Sequence, residues 1–143
     1  MKGVYCLVIE LKGGMDVSVG CLGVLGFRKG FYVYVGSALN SLESRVGRHL
    51  RVEKKRFWHI DYLLEHAVVV DVVYAESSGR VECGIAERIN RKLMPIPGFG
   101  CSDCGCGSHL FYSSGIEEAK EAIKEAFTGV GLKPQTTIFK ASL

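Results

Sequence analysis

The chain has 143 residues, 48% of them hydrophobic and 23% charged, with a formal net charge of +3. That length supports one domain with a sizeable core, and the apolar fraction excludes a disordered chain. No apolar run approaches a membrane span and no signal peptide pattern opens the sequence, so the expectation is a soluble, cytoplasmic protein with no membrane partner.

Residues 2–11, KGVYCLVIEL, are rich in β-branched and apolar residues and predict a strand. KGGMD is a glycine turn, and VSVGCLGVLGF predicts a second strand interrupted by glycines. RKG then turns the chain into a third strand, FYVYVG, so residues 2–36 form an antiparallel hairpin or meander. Asn40 or Ser41 caps a helix in which Leu42, Val46 and Leu50 face inward, while Arg45 and His49 project together one turn apart. A short helix, FWHIDYLLEHA, carries Trp58, Ile60, Leu63 and Leu64 as core, with structural roles favoured for His59 and Asp61 and His59 kept as a secondary site candidate. VVVDVVYAE predicts a buried strand, and VECGIAERINRKLM a helix with Ile85, Ile89 and Leu93 inside. A cysteine-rich loop, PIPGFGCSDCGCGS, leads to the strand-like HLFYSS. GIEEAKEAIKEAFTGVG is an amphipathic helix with Ile116, Ala119, Ile123 and Phe127 inward, and TTIFKASL suits a last edge strand. The expected architecture is α+β: a small central antiparallel or mixed sheet flanked by helices, in a single domain over 1–143.

Charge is mild overall but unevenly placed. Arg45, Arg48, Arg51, Lys54, Lys55 and Arg56 concentrate six of the 18 Lys and Arg in residues 45–56. Such a stretch suits a phosphate backbone, or simply a solvated face. The sequence contains only Gln135, Asn40 and Asn90 as side-chain amides. That scarcity of thermolabile residues points toward a thermophilic source.

Two glycine-tyrosine corners stand out: Gly3-Val4-Tyr5 opens the first strand and Tyr34-Val35-Gly36 closes the third. With Arg45 in the next helix and Glu87 in ECGIAERIN, they resemble the GIY-YIG nuclease superfamily over residues 2–93, leaving 94–143 as a C-terminal extension. GFYVYVGSAL, FWHIDYLL, VECGIAE and GFGCSDCGCGSHLFY are together similar to a small, mainly archaeal branch of that superfamily that carries the label of a domain of unknown function. The spacing departs from the common pattern, because VSVGCLGVLGF lengthens the stretch between the tyrosines.

The resemblance implies a divalent-metal-dependent endonuclease that hydrolyses DNA, with repair as its setting and a DNA-repair protein as its partner. Its implied cofactor is Mg²⁺ or Mn²⁺, bound by Glu87, with Glu82 one and a half turns earlier. Arg45 would grip phosphate oxygens, a task suited to a bidentate guanidinium. Tyr5 would orient or deprotonate the attacking water, Tyr34 would bond the water or phosphate, and His49 would relay a proton or touch the phosphate. Arg48, Arg51, Lys54, Lys55 and Arg56 would follow the nucleic-acid backbone. The alternative is a non-catalytic module that grips nucleic acid through the same basic cleft.

The cysteine loop leaves three readings open. Cys101, Cys104, Cys106 and His109 have ligand types and a Cys-x-x-Cys spacing suited to structural Zn²⁺, with Cys83 able to replace one of them. A disulfide, or free thiols beside the cleft, fit the same residues. A zinc- or thiol-based redox or scaffold role centred on residues 101–109 is a third functional reading. Cys6 and Cys21 lie in apolar runs and are expected in the core.

Overall fold

The computed structural model describes residues 1–101 and 106–136, so Cys104 and nearly all of TTIFKASL lie outside the described residues. The chain runs β1 (Gly3–Leu11), β2 (Met15–Ser18), β3 (Val24–Phe27), β4 (Gly30–Ala38), α1 (Leu42–Leu50), α2 (His59–Leu63), β5 (Val68–Glu76), α3 (Glu82–Asn90), β6 (Met94–Pro95), β7 (Leu110–Ser113) and α4 (Ile116–Gly129). Five strands form one sheet in the order β5-β1-β4-β7-β6, with every pairing antiparallel. The α+β expectation therefore holds, with a purely antiparallel sheet.

The expected glycine-interrupted strand is instead two strands. β2 and β3 pair only with each other, joined through a short 3-10 turn at Gly20–Leu22. Gly20 and Gly23 take positive φ there, which bends the segment back on itself as a separate ribbon. β1 consequently pairs directly with β4 rather than meandering through the segment between them. Cys21 sits exposed in this turn, correcting its expected burial, whereas Cys6 is fully buried.

Alternation along the strands divides the core. Tyr5, Leu7, Ile9, Tyr32 and Tyr34 face one layer with Leu42, Val46, Ile60 and Phe99. Val4, Cys6, Val8, Val33 and Val35 face the other, against Ile85 and Ile89 of α3 and Ile123 and Phe127 of α4. Ser41 caps α1 by accepting from the Ser44 amide at 3.1 Å. Among the described residues no helix is long and apolar enough to cross a membrane.

Asp61 anchors the start of α2. Its carboxylate accepts from the Phe57 and Trp58 amides at 2.8 and 2.9 Å, and from both Arg48 Nη atoms at 2.9 and 3.0 Å. Burial alone would raise its pKa, but the Arg48 bond and the two amides outweigh that and hold it below the ordinary value. Arg48 also donates to the Lys55 carbonyl at 2.8 Å and lies over the Trp58 ring at 4.4 Å. Asp61 is 1% exposed, so Asp61→Ala leaves Arg48 and two amides without their acceptor. The expected loss is about 3 kcal/mol of stability, read as a fall in the denaturant midpoint.

Candidate functional site

At the end of β4 the two layers meet in a cleft of about 440 Å³. Tyr5, Tyr34, Ser37, Arg45 and Trp58 line one side, and Arg80, Glu82, Cys83 and His109 the other. The register explains the first side. Tyr5 pairs across from Gly36, and Leu7 from Tyr34, so both tyrosines belong to the same face. The Tyr5 ring lies over Gly36, where any Cβ would collide with it. Gly100, with φ +74°, packs tightly against Tyr34 and His109 and lines the cleft in a backbone conformation that side chains rarely adopt.

Tyr5 and Tyr34 are 1% and 8% exposed, so both phenols are nearly enclosed. The Tyr5 hydroxyl is 2.6 Å from His49 Nε2. Burial, reinforced by Tyr34, raises the Tyr5 phenol well above its ordinary pKa, against the lowering effect of Arg45, which hydrogen-bonds it. Burial likewise lowers His49 to about 3, despite the Asp61 carboxylate, with Arg48 and Arg45 adding to the effect. Phenol and imidazole are therefore both neutral near pH 7. The phenol and Nε2 share one short hydrogen bond whose direction follows the imidazole tautomer, and the buried Nδ1 has no hydrogen-bond partner among the described residues. His49 is thus not the projecting phosphate contact expected beside Arg45. Helix α1 turns it inward, where its ring packs against Tyr34 and Trp58.

Arg45 reaches the cleft. It donates to the Ser37 carbonyl at 3.0 Å and stacks over Trp58 at 4.5 Å, two contacts that aim the guanidinium. Ser37 Oγ donates to Glu82 Oε1 at 3.0 Å, and Glu82 Oε2 lies 3.6 Å from His109 Nδ1. The carboxylate facing both tyrosines is therefore Glu82, in the first turn of α3.

Glu87 lies elsewhere. Five residues along a helix rotate a side chain by about 140° from the first, so Glu82 and Glu87 cannot share a wall. Glu87 is exposed, pairs with Arg91 at 3.3 Å and borders a separate groove of about 750 Å³ with Asn90, Pro95 and Pro97. The structure thus separates Glu87 from Tyr5, Tyr34 and Arg45. Sequence reasoning also treated Trp58 as core only and passed over Arg80. The signal for Glu82 is its place at a helix start, where a short side chain can reach the end of the adjoining strand.

Part of the basic stretch is committed to the fold. Arg48 is held by Asp61, and Lys54 donates to the carbonyls of His49 and Arg51 at 3.2 and 2.6 Å, capping the end of α1. Arg56 forms an exposed pair with Glu65 at 3.6 Å. Arg51 and Lys55 are exposed. His59 accepts from the Gly100 amide at 2.8 Å through Nδ1, a positioning bond for the loop.

Of the expected thiol cluster, Cys106 and His109 come together with Cys83 rather than Cys101. Their ligand atoms lie within 4.8 Å of one another, close enough to hold a metal ion, and Cys83 and Cys106 are joined as a disulfide. Cys101 Sγ instead donates to the Phe99 carbonyl at 3.5 Å.

Two consequences are measurable. Gly36→Ala drives a methyl into the Tyr5 ring and is expected to cost about 1–3 kcal/mol, detectable by thermal unfolding. The second is a pH dependence. The folded chain keeps His49 unprotonated down to about pH 3, whereas the unfolded chain takes up that proton near 6.5. Between these values the unfolded state binds more protons, so stability falls on acidification, by up to about 1.4 kcal/mol per pH unit from this group. Asp61, whose folded pKa is depressed, adds a loss of the same sign at the acidic end. Denaturant unfolding followed from pH 7 to pH 4 should show this slope, reduced by about one proton in His49→Gln.

Among known proteins, no curated protein and no solved structure matches the chain. A family model does, over residues 4–132, from the second residue of β1 to just beyond α4. The match spans both walls of the cleft, and the chain belongs to the family described as domain of unknown function DUF123.

Proposed function

We propose that the cleft binds a phosphodiester and hydrolyses it with a divalent cation, making the protein a DNA endonuclease of the GIY-YIG type. The observation that carries this reading is the convergence of Tyr5, Tyr34, Arg45 and Glu82 on one cleft at the end of β4. Their order and residue types resemble that superfamily, with the metal-binding carboxylate reassigned from Glu87 to Glu82. DNA as the substrate and a role in repair come from the resemblance.

The donor set suits a hard cation. Glu82 brings one carboxylate with the Ser37 hydroxyl beside it, and a cleft of about 440 Å³ leaves room for a retained hydration shell. Such an ion, Mg²⁺ or Mn²⁺, would relieve charge on the phosphate and the leaving oxygen. Arg45, aimed by Ser37 and Trp58, binds non-bridging oxygens. Tyr5 holds the attacking water, and its proton has an acceptor in His49 Nε2 at 2.6 Å. Arg45 against the phenol stabilises any negative charge that develops there. Arg80, exposed at the rim, and Arg51 and Lys55 on the adjoining surface offer charge to the backbone on either side.

A second reading, a module that grips nucleic acid without cutting it, draws on a different observation: both Glu82 oxygens already face Ser37 and His109. Nicking of supercoiled plasmid with Mg²⁺ or Mn²⁺, beside gel shifts on the same proteins, separates the two. The nuclease predicts metal-dependent nicking that falls at least about 100-fold in Glu82→Gln and Arg45→Ala, in line with loss of a charge-stabilising group. Glu87→Gln should retain wild-type nicking. A DNA shift weakened by Arg45→Ala, with no nicking in any protein, would instead support the binding module.

A further inference from the structure

Cys83 follows Glu82 in the first turn of α3, and its side chain stands between the cleft and the larger groove that carries Glu87. Cys106 borders that groove, and His109 borders the cleft. His109 is 3% exposed, and its orientation is specified from behind. Its Nδ1 lies 3.1 Å from the Val35 carbonyl, an acceptor only, so the neutral ring carries its proton there. The lone pair then falls on Nε2, which points at Cys83 Sγ from 3.9 Å. Glu82 Oε2 lies 3.6 Å from the same Nδ1. An imidazole whose far nitrogen is held by a carbonyl and approached by a carboxylate, and whose near nitrogen faces the Cys83 sulfur, has the outer-shell pattern of a metal ligand.

We propose that Cys83, Cys106 and His109 form a binding site for Zn²⁺ that exists only when the Cys83–Cys106 disulfide is reduced. Two thiolates and one imidazole supply three ligands of a tetrahedral zinc ion, and their ligand atoms already lie within 4.8 Å of one another. The two states exclude each other because the same sulfurs serve both. Opening the disulfide takes two electrons and two protons from a reductant and yields two thiols. Binding Zn²⁺ then releases those two protons and leaves two metal-bound thiolates. In the reverse direction hydrogen peroxide takes two electrons from the thiolates and two protons from solvent, becoming two waters as the disulfide forms and the metal leaves. Either state ties the first turn of α3 to the segment before β7. The metal state additionally engages His109, the residue next to the Glu82 carboxylate. This site is independent of the reading of the cleft, and its test needs no nucleic acid.

The test uses the full chain, reduced with a phosphine and stripped of metal, then titrated with Co²⁺. The expected result is one equivalent bound, with thiolate-to-cobalt charge-transfer absorption and the visible bands of tetrahedral cobalt, both abolished by an equivalent of Zn²⁺. Cys83→Ser and Cys106→Ser, near-isosteric changes checked by circular dichroism, should each weaken binding about 100-fold or more, since losing a direct ligand costs at least as much as losing an outer-shell partner. The oxidised chain should bind none. X-ray absorption of the wild-type zinc form should report both sulfur and imidazole scatterers, which tests His109 without replacing a buried residue. Zinc should also shield Cys83 and Cys106 from alkylation while exposed Cys21 remains reactive. A reduced wild type with no thiolate–cobalt absorption, absorption undiminished in Cys83→Ser, or a zinc spectrum without imidazole would each overturn the proposal.

Discussion

The pairing of β1 with β4 constrains everything built at the cleft. Over nine residues the two strands run antiparallel with Tyr5 opposite Gly36 and Leu7 opposite Tyr34. A slip of one residue between them would put the two tyrosines on opposite faces of the sheet, because side chains alternate along a strand. The absent side chain at Gly36 leaves the space the Tyr5 ring fills, and that position brings the hydroxyl to His49 on α1. Arg45 is on the same helix one turn earlier, so docking α1 on the sheet sets imidazole and guanidinium together.

Burial decides the chemistry of these groups. Tyr5 and His49 are both held in their uncharged forms, because enclosing either ion without a full countercharge is unfavourable. Their short hydrogen bond satisfies two buried polar atoms and leaves Nδ1 of His49 without a partner among the described residues. Nearby, two residues of the basic stretch that suggests a nucleic-acid track serve the fold instead. Arg48 neutralises Asp61 and Lys54 caps α1, while Arg51 and Lys55 remain exposed. Exposed Arg56 is paired with Glu65, and a surface pair of that kind adds little to stability. Positive charge in a sequence window therefore overstates the charge offered to a partner.

The first turn of α3 carries two adjacent residues with different surroundings. Glu82 bonds Ser37 at the end of β4, and Cys83 bonds Cys106 across the boundary between two cavities. His109 is close to both, near the Glu82 carboxylate through Nδ1 and near Cys83 through Nε2. A change in the covalent state of the sulfurs is thus one residue and one imidazole away from the carboxylate in the cleft.

Much of the fold was legible because its elements follow local periodicity. β5 begins and ends where the run VVVDVVYAE does, and α4 buries Ala119, Ile123 and Phe127 as its stripe requires. Tyr5, Tyr34 and Arg45 were legible as a group because a strand-turn-helix order brings them together with little help from distant residues. Three features were not legible. Glycines at 20 and 23 gave no indication that their segment would leave the sheet as a separate ribbon, since that depends on β4 taking the place beside β1. Glu82 and Glu87 are both acidic residues on one helix, and only the direction in which α3 docks decides which faces the cleft. Cys83 was legible only as a substitute for one of the loop's ligands, and its joining Cys106 and His109 across more than twenty residues follows from no spacing within the cysteine loop. The sequence by itself determined the elements, their buried faces and the residue types of the cleft, because those follow from short-range pattern. The tertiary structure alone decided which carboxylate, which cations and which sulfurs meet, because that depends on the angle and register at which separately formed elements pack.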